Sequence, residues 1–310
     1  MVKSSNTATD WLLYVLVRVV GLFIQVLPVR TAYALGRAGG SLAFAVSPRH
    51  RRRAVEHLTA AMPDWPAARV RRVARESMQS VVLLAIETLI MPRRLTPRRF
   101  ADHLRFAGHE GLLRHLLTSE RGAILLTGHF GNWEVGGYAL ASLGFPAAAV
   151  ARPLDNRHLD RYIRSIREAE GLRIVDKRGA APVVDALLHA GGAVGFIADQ
   201  DAGRRGIFVD FFGRPASTFR SIALLALRYE VPIFITYARR LDDTFRFEIG
   251  VAASITPDQW ARKDDPVRWI TQTYTHHIEQ LVRACPGQYF GWLHRRWKHQ
   301  PTRARARRRR

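Results

Sequence analysis

The stretch "GAILLTGHFGNWEVGGYAL", residues 122–140, ends an apolar run with Gly128-His129 and places Glu134 five residues after the histidine. A carboxylate bonded to one imidazole nitrogen fixes the tautomer and stabilises the imidazolium. The other nitrogen can then take a proton from a hydroxyl. On an ideal helix, residues five apart lie about 140° round the axis and do not meet. Across a strand-to-helix turn they can, and Gly128 and Gly131 supply the backbone freedom for one. The spacing therefore predicts a turn that returns Glu134 to His129. "GHFGNWE" contains no Ser, Thr or Cys, so the fitting chemistry is direct attack by a substrate hydroxyl rather than a covalent acyl-enzyme. The same spacing also suits a core histidine beside an unrelated helix-face glutamate. The strand exit, the flanking glycines and a basic helix nearby favour the site. Zinc would need further ligands, and His109, His115 and His276-His277 show no ligand spacing with His129, so no metal is expected.

The surrounding sequence predicts elements able to hold such a turn. "GAILLTGH" is a compact buried strand, and "NWEVGGYALASLG" a helix ending at Gly144. "AAAVARP", "LRIVDK", "AVGFIADQD", "IFITYARR" and "FRFEIGVAA" read as further strands, with helices such as "NRHLDRYIRSIREAEG" and "APVVDALLHAGG" between the earlier ones. Repeated strand–helix–strand units predict an α/β fold, a mostly parallel sheet flanked by helices. Chemistry in such sheets sits at the carboxyl ends of the strands. His129 and Asp199 both fall at strand ends in this reading.

The chain has 310 residues, with Lys+Arg 48 against Asp+Glu 26 and a net charge of +22. The closing "RARARRRR" supplies only six of those positive charges. Such basicity implies a polyanionic partner, nucleic acid or an anionic membrane face. The single cysteine, Cys285, excludes a disulfide framework and a cysteine zinc site. "WLLYVLVRVVGLFIQVLPV", Trp11 to Val29, approaches the roughly 20 apolar residues that span a bilayer. Arg18 and Gln25 interrupt it, and no small-residue cleavage site follows, so it reads as a retained anchor, spanning the membrane or lying in its interface, with a buried core helix as the alternative. Four arginines in "SPRHRRR" then mark a cytoplasmic, anionic-lipid-facing side. Trp11 and Tyr14 suit the headgroup level. The expected organisation is an apolar membrane-anchoring segment over 1–46, a domain over 47–300 and a disordered arginine-rich tail over 301–310.

"GHFGNWE" resembles the H-x4-D/E motif of the membrane glycerolipid acyltransferase superfamily. The fuller wording resembles its lipid A late acyltransferase branch, the lauroyl and myristoyl acyltransferases, which includes related phosphatidylinositol mannoside acyltransferases. "ARPLDNRHLDRYIRSIREAEGLRIV", "GFIADQDAGRRGIFVDFFGRPASTF" and "GWLHRRWK" extend the likeness over nearly the whole chain. The Pro-Glu-Gly block of the glycerophosphate branch is replaced by "ADQD", and His57-Leu58 stands where many relatives carry Asn-Leu.

The resemblance implies transfer of a fatty acyl chain from a thioester to a hydroxyl of a membrane glycolipid, such as a lipid A precursor or a phosphatidylinositol mannoside. The donor is acyl carrier protein or coenzyme A, a co-substrate with no cofactor beside it. His129 would be the general base and Glu134 its orienting partner. Asn132 either shapes the turn or caps the following helix. Arg152 and Arg164 either bind phosphates of acceptor or carrier or form a solvated basic face. Asp199 and Asp201 either complete the site floor or cap a loop. The partners implied are a lipid acceptor and an anionic membrane surface, at the cytoplasmic face of a bacterial inner membrane. A nucleic-acid-binding protein is the competing reading of the charge, but no recognition module accompanies it, so no nucleic acid partner is expected.

Overall fold

The computed structural model describes residues 7–301; the tail expected to be disordered falls, from residue 302, outside the described residues. Two apolar helices come first, α1 (Thr7–Val26) and α2 (Val29–Val46), broken at Pro28, followed by α3 (Pro48–Ala61) and the long α4 (Ala67–Arg94). A short α5 (Phe100–His103) leads into β1 (Leu104–Ala107), α6 (Glu110–Thr118), β2 (Ala123–Thr127), α7 (Trp133–Ser142) and β3 (Ala147–Ala151). Then come α8 (Arg157–Arg167), β4 (Arg173–Asp176), α9 (Ala180–His189), β5 (Ala193–Ile197), β6 (Ile207–Phe211) and β7 (Arg214–Thr218). The chain continues through α10 (Ser221–Tyr229), β8 (Ile233–Arg240), β9 (Phe247–Ile255), α11 (Pro257–Trp260) and α12 (Pro266–Ala284).

Seven strands form one sheet in the order β1-β9-β8-β2-β5-β3-β4. β8, β2, β5, β3 and β4 are mutually parallel. β9 turns back antiparallel on β8, and β1 runs parallel to β9 at the edge. The α/β reading with a mostly parallel sheet holds, with one edge reversed because a short connection joins β8 to β9 and leaves no room for a crossover helix. β6 and β7 form a separate hairpin.

Successive strand residues face opposite sides of the sheet. Ile124 and Leu126 of β2 enter the core shared with α9, α10 and α12, while Leu125 faces the α6 and α7 side. The strand ends therefore open between two helical layers.

α1 is long and apolar enough to cross a membrane, and its burial is inverted relative to a helix of a water-soluble protein. Gly21 packs on Leu89 of α4, Gln25 donates to the Leu89 carbonyl at 3.2 Å, and the Arg18 guanidinium lies 4.7 Å from the Tyr162 ring. Arg18 also donates to the Tyr14 hydroxyl at 2.9 Å. Arg18, Gly21 and Gln25 thus face the protein, and Leu12, Leu16, Val19 and Phe23 face outward. An arginine at the centre of a span is costly when it meets hydrocarbon; here it meets two aromatic side chains of the same protein.

Candidate active site

Residue 123 of β2 pairs with 193 of β5, and 127 with 197. Carried two residues past the strand ends, the same offset sets His129 opposite Asp199. His129 Nδ1 lies 2.6 Å from Asp199 Oδ1, and the His129 backbone N–H donates to Asp199 Oδ2 at 3.0 Å. Gly128 leaves the room for this: a Cβ there would stand 3.0 Å from Ile278 and 3.5 Å from the Asp199 carboxyl. Gly131 has φ +61°, and a Cβ on it would fall 2.0 Å from the Ala238 carbonyl oxygen, so only glycine fits. The turn is bonded on both sides. Asn132 N–H donates to Ala238 O at 2.7 Å, Gly131 N–H to Gln288 O at 2.9 Å, and Phe290 N–H to His129 O at 2.9 Å.

The expected contact between Glu134 and His129 is corrected by this geometry: the carboxylate on the imidazole belongs to Asp199. Glu134 lies in the first turn of α7, where Arg167 of α8 grips it with two bonds, Nε to Oε2 at 2.7 Å and Nη2 to Oε1 at 2.6 Å. Trp133 Nε1 donates to Oε1 as well, at 3.0 Å. The physical reason is that α7 starts only after Asn132. Its first turn then carries Glu134 toward α8, while the sheet itself supplies a carboxylate at hydrogen-bonding distance.

Asn132 is fully buried and caps α7, its side-chain oxygen accepting from the N–H groups of Glu134 at 3.1 Å and Val135 at 3.3 Å. Its amide donates to Glu87 Oε2 at 2.9 Å. Glu87 in turn accepts from Tyr33 Oη at 2.6 Å and from two nitrogens of Arg240. A buried carboxylate needs such saturation. The helix-capping alternative for Asn132 is the one this placement matches.

Burial disfavours an ionised Asp199, but the His129 imidazole, the two hydrogen bonds from His129 and the charge of Arg296 outweigh it and hold the carboxyl below its ordinary range. Burial likewise works against the Arg167 charge, and Glu134 more than offsets it, so this guanidinium titrates above its usual value. With the Nδ1 proton shared with Asp199, the Nε2 lone pair of His129 is left for chemistry. The Gln200 amide nitrogen is 3.4 Å from it. The imidazole sits between Trp133 and Phe290, ring centroids 4.9 and 5.7 Å away, and its side chain is 15% exposed, enough to be reached from one side.

Beside Trp133, Glu134 and Arg167 opens a cavity of about 370 Å³ between α7 and the sheet. It exists because both walls are built from small residues: Gly136, Gly137 and Ala139 on the helix, Ala149, Ala151 and Gly195 on the strands. Close-packed interiors rarely leave such a void. An apolar chain is the occupant that suits it.

The remaining expected residues are dispersed. Arg152 is exposed and pairs with Asp155 at 2.6 Å. Arg164 donates to the Ile174 carbonyl at 2.7 Å and pairs with Asp176 at 2.5 Å, bracing α8 against β4. Asp201 accepts from Gly203 N–H at 3.1 Å and pairs with His299 at 2.6 Å. Residues not singled out from sequence complete the frame. Arg167 has no distinguishing spacing within a helix rich in arginine. Arg296 is fully buried and donates to Ser217 O at 2.7 Å, Thr218 Oγ1 at 2.8 Å and Gln200 O at 3.3 Å, fixing the strand-end loop beside His129. Charge pattern alone does not separate it from exposed Arg295.

The description of the bacterial lipid A biosynthesis acyltransferases matches residues 2–299. The chain is 27% identical to the lipid A biosynthesis palmitoleoyltransferase of Escherichia coli (strain K12), over 94% of its own length and 92% of that protein. It is 26% identical to a lipid A biosynthesis acyltransferase of Haemophilus influenzae over 79% of its length and 76% of the relative. A phosphatidylinositol mannoside acyltransferase of Mycobacterium tuberculosis (strain ATCC 25618 / H37Rv) is 26% identical over 58% of the chain and 57% of the relative.

Proposed function

The chain belongs to the bacterial lipid A biosynthesis acyltransferase family and is an acyltransferase, and on that premise we propose that it esterifies a hydroxyl of a lipid A precursor. The donor is a fatty acyl thioester on acyl carrier protein or coenzyme A. Transfer takes place at the cytoplasmic face of the bacterial inner membrane, to which the outward-apolar α1 attaches the protein.

In this mechanism the acyl chain lies in the cavity under α7, with its thioester carbonyl at the His129 end. His129 Nε2 takes the proton of the acceptor hydroxyl as its oxygen adds to the carbonyl carbon. Asp199, ionised, holds Nδ1–H and stabilises the imidazolium. When the tetrahedral intermediate collapses, the C–S bond breaks and the thiolate takes the proton from Nε2. The products are an ester and a free thiol. Glu134 and Arg167 hold the first turn of α7 against the cavity, so they are positioning residues in this scheme.

The observation that carries the reading is the His129–Asp199 pair, with the imidazole packed on Trp133, a wall residue of the apolar cavity. The likeness to a lipid A enzyme over nearly the full length favours that acceptor over a phosphatidylinositol mannoside, where the likeness spans 58% of the chain. The test is transfer of labelled acyl groups to lipid acceptors by membranes containing the protein. Loss of activity in His129→Ala is expected, and full activity in that variant would overturn the assignment. Lipid mass spectrometry of a deletion strain identifies acyl group and acceptor together.

A further inference from the structure

A second cavity, about 530 Å³, lies between the start of α3 and the carboxyl-terminal segment. Its wall carries Arg49, Arg53, Arg295, Lys298 and His294, and a single carboxylate, Asp201. Asp201 is already paired with His299. Arg49, Arg295 and Lys298 are exposed and form no ion pair among the described residues. Arg53 donates one nitrogen to the Leu293 carbonyl at 3.1 Å. His294 Nδ1 is buried with no hydrogen-bond partner among the described residues.

Like charges converge here. Burial, and then Arg295 and Arg49, depress the Arg53 guanidinium, with Glu56 offsetting them in part. Burial, and then the charge of His129, depress His294. A surface meant only to face water would spread these groups apart. Held together in a concavity, they suit a compact, multiply charged oxyanion, which arginine recognises through two parallel N–H bonds.

The position matters as much as the charge. Phe290 lines this basin and touches both His129, at 5.7 Å between centroids, and His294, at 6.0 Å. Trp133 lines the apolar cavity and touches His129 at 4.9 Å. The imidazole therefore stands between an apolar cavity and a cationic one.

We propose that the basin formed by Arg49, Arg53, Arg295, Lys298 and His294 is a phosphate-binding site that seats the phosphate group of one of the two substrates during acyl transfer. This rests on the acyltransferase reading given above. The chemistry it reads is a phosphate ester, carried either by the phosphopantetheine arm of the donor or by the headgroup of the acceptor glycolipid.

The test uses the full chain in nanodiscs of zwitterionic phosphatidylcholine, so that no anionic bilayer competes. Binding is titrated calorimetrically for two pairs of probes: dodecyl thioethers of phosphopantetheine and of pantetheine, and a monophosphorylated glycolipid and its dephosphorylated form. The variant is Arg49→Gln/Arg295→Gln/Lys298→Gln, three exposed positions whose replacement leaves the core untouched. In the wild type one phosphorylated probe is expected to bind about tenfold or more tighter than its counterpart, and the variant to lose that advantage. Loss with the thioether pair assigns the basin to the donor, and loss with the glycolipid pair to the acceptor. An advantage that the variant retains in both pairs, or no advantage in the wild type, overturns the proposal. Acyl transfer by the same wild-type sample is assayed alongside: its absence would count against the enzymatic reading, while the titrations still report on the basin.

Discussion

His129 and Asp199 face each other because β2 and β5 pair with a constant offset of 70 residues, which continues beyond both strands. The pair belongs to the sheet's register rather than to any local motif. Asp199→Asn is expected to lower kcat by about 10³- to 10⁴-fold with little change in KM, since the amide favours the wrong imidazole tautomer. Steady-state kinetics with a thioester donor measure it. A drop of less than tenfold would remove Asp199 from the proposed mechanism.

Glu134 and Arg167 are expected to behave as a structural couple. Arg167→Leu leaves a carboxylate that is 8% exposed without its partner, a change that costs about 3–5 kcal/mol. Glu134→Gln/Arg167→Leu should recover part of that loss, as thermal unfolding of the three proteins will show. The acid limb of the pH–rate profile should be unmoved by Glu134→Gln. Movement of that limb would return Glu134 to the imidazole.

Chain-length selection should reside in the small residues under α7. Ala149→Leu fills part of the cavity floor, and each methylene denied burial forfeits about 0.8 kcal/mol. Excluding three or four carbons is expected to reduce kcat/KM for long donors by about 50- to 200-fold, and to spare short ones. Competition between donors of different length reads this out, and equal losses for all lengths would place the acyl chain elsewhere.

His57 gives the protein an acid-sensitive joint. Its ring packs on Trp297, centroids 4.9 Å apart, with Nδ1 3.0 Å from the Trp292 carbonyl. Burial first, and then Arg214, Arg53 and His294, push its pKa down to about 4. The unfolded chain takes up this proton near pH 6.5, so it binds more protons than the native state between those values. Stability from this group is full above pH 6.5 and is lost as the pH falls toward 4, by on the order of 2–3 kcal/mol. His57→Asn should flatten the melting temperature over that window, and unchanged slopes would refute the linkage. The depressed carboxyl of Asp199 acts in a lower window, its contribution present above about pH 4 and lost below it.

The outward face of α1 should be what holds the protein to lipid. Leu12, Leu16, Val19 and Phe23 are each 58–61% exposed, and exchanging all four for serine removes several kcal/mol of apolar contact, about 1.5–3 for each side chain. Flotation of membranes in high salt should leave the quadruple variant behind in the soluble layer. Complete co-flotation would point to another attachment surface.

Much of this was legible in the chain. The strand ending at His129 announced itself through a compact apolar run closed by glycine, and Asp199 through a second apolar run that ends at Ala198. What stayed hidden was pairing. A carboxylate five residues away is visible in one line of text, whereas one 70 residues away requires knowing that β2 and β5 are neighbours in register. Arg167 and Arg296 were indistinguishable from their exposed neighbours because a guanidinium is committed by its burial, which the local pattern does not record. Arg18 and Gln25 looked like flaws in a membrane segment until α4 and α8 provided the surface that they face. The reversal of β9 followed from a tight connection, "LDDTFR", in which Asp242 accepts from the Thr244 N–H at 2.8 Å to make the turn without glycine or proline.

Tyr33, in the second apolar helix, donates to Glu87, which receives Asn132, and Asn132 begins the helix three residues after His129. α1 is joined to the same α4 through Gln25 and Gly21. α1, α2 and the helix that follows His129 are thus all tied to one element, α4; with α1 in lipid as proposed, that tie would set the height of His129 relative to the bilayer plane like the mark on a depth gauge. Hydroxyls buried deeper or raised higher in the headgroup layer would pass it by. Acceptors would then be sorted by elevation before any of their polar groups is recognised.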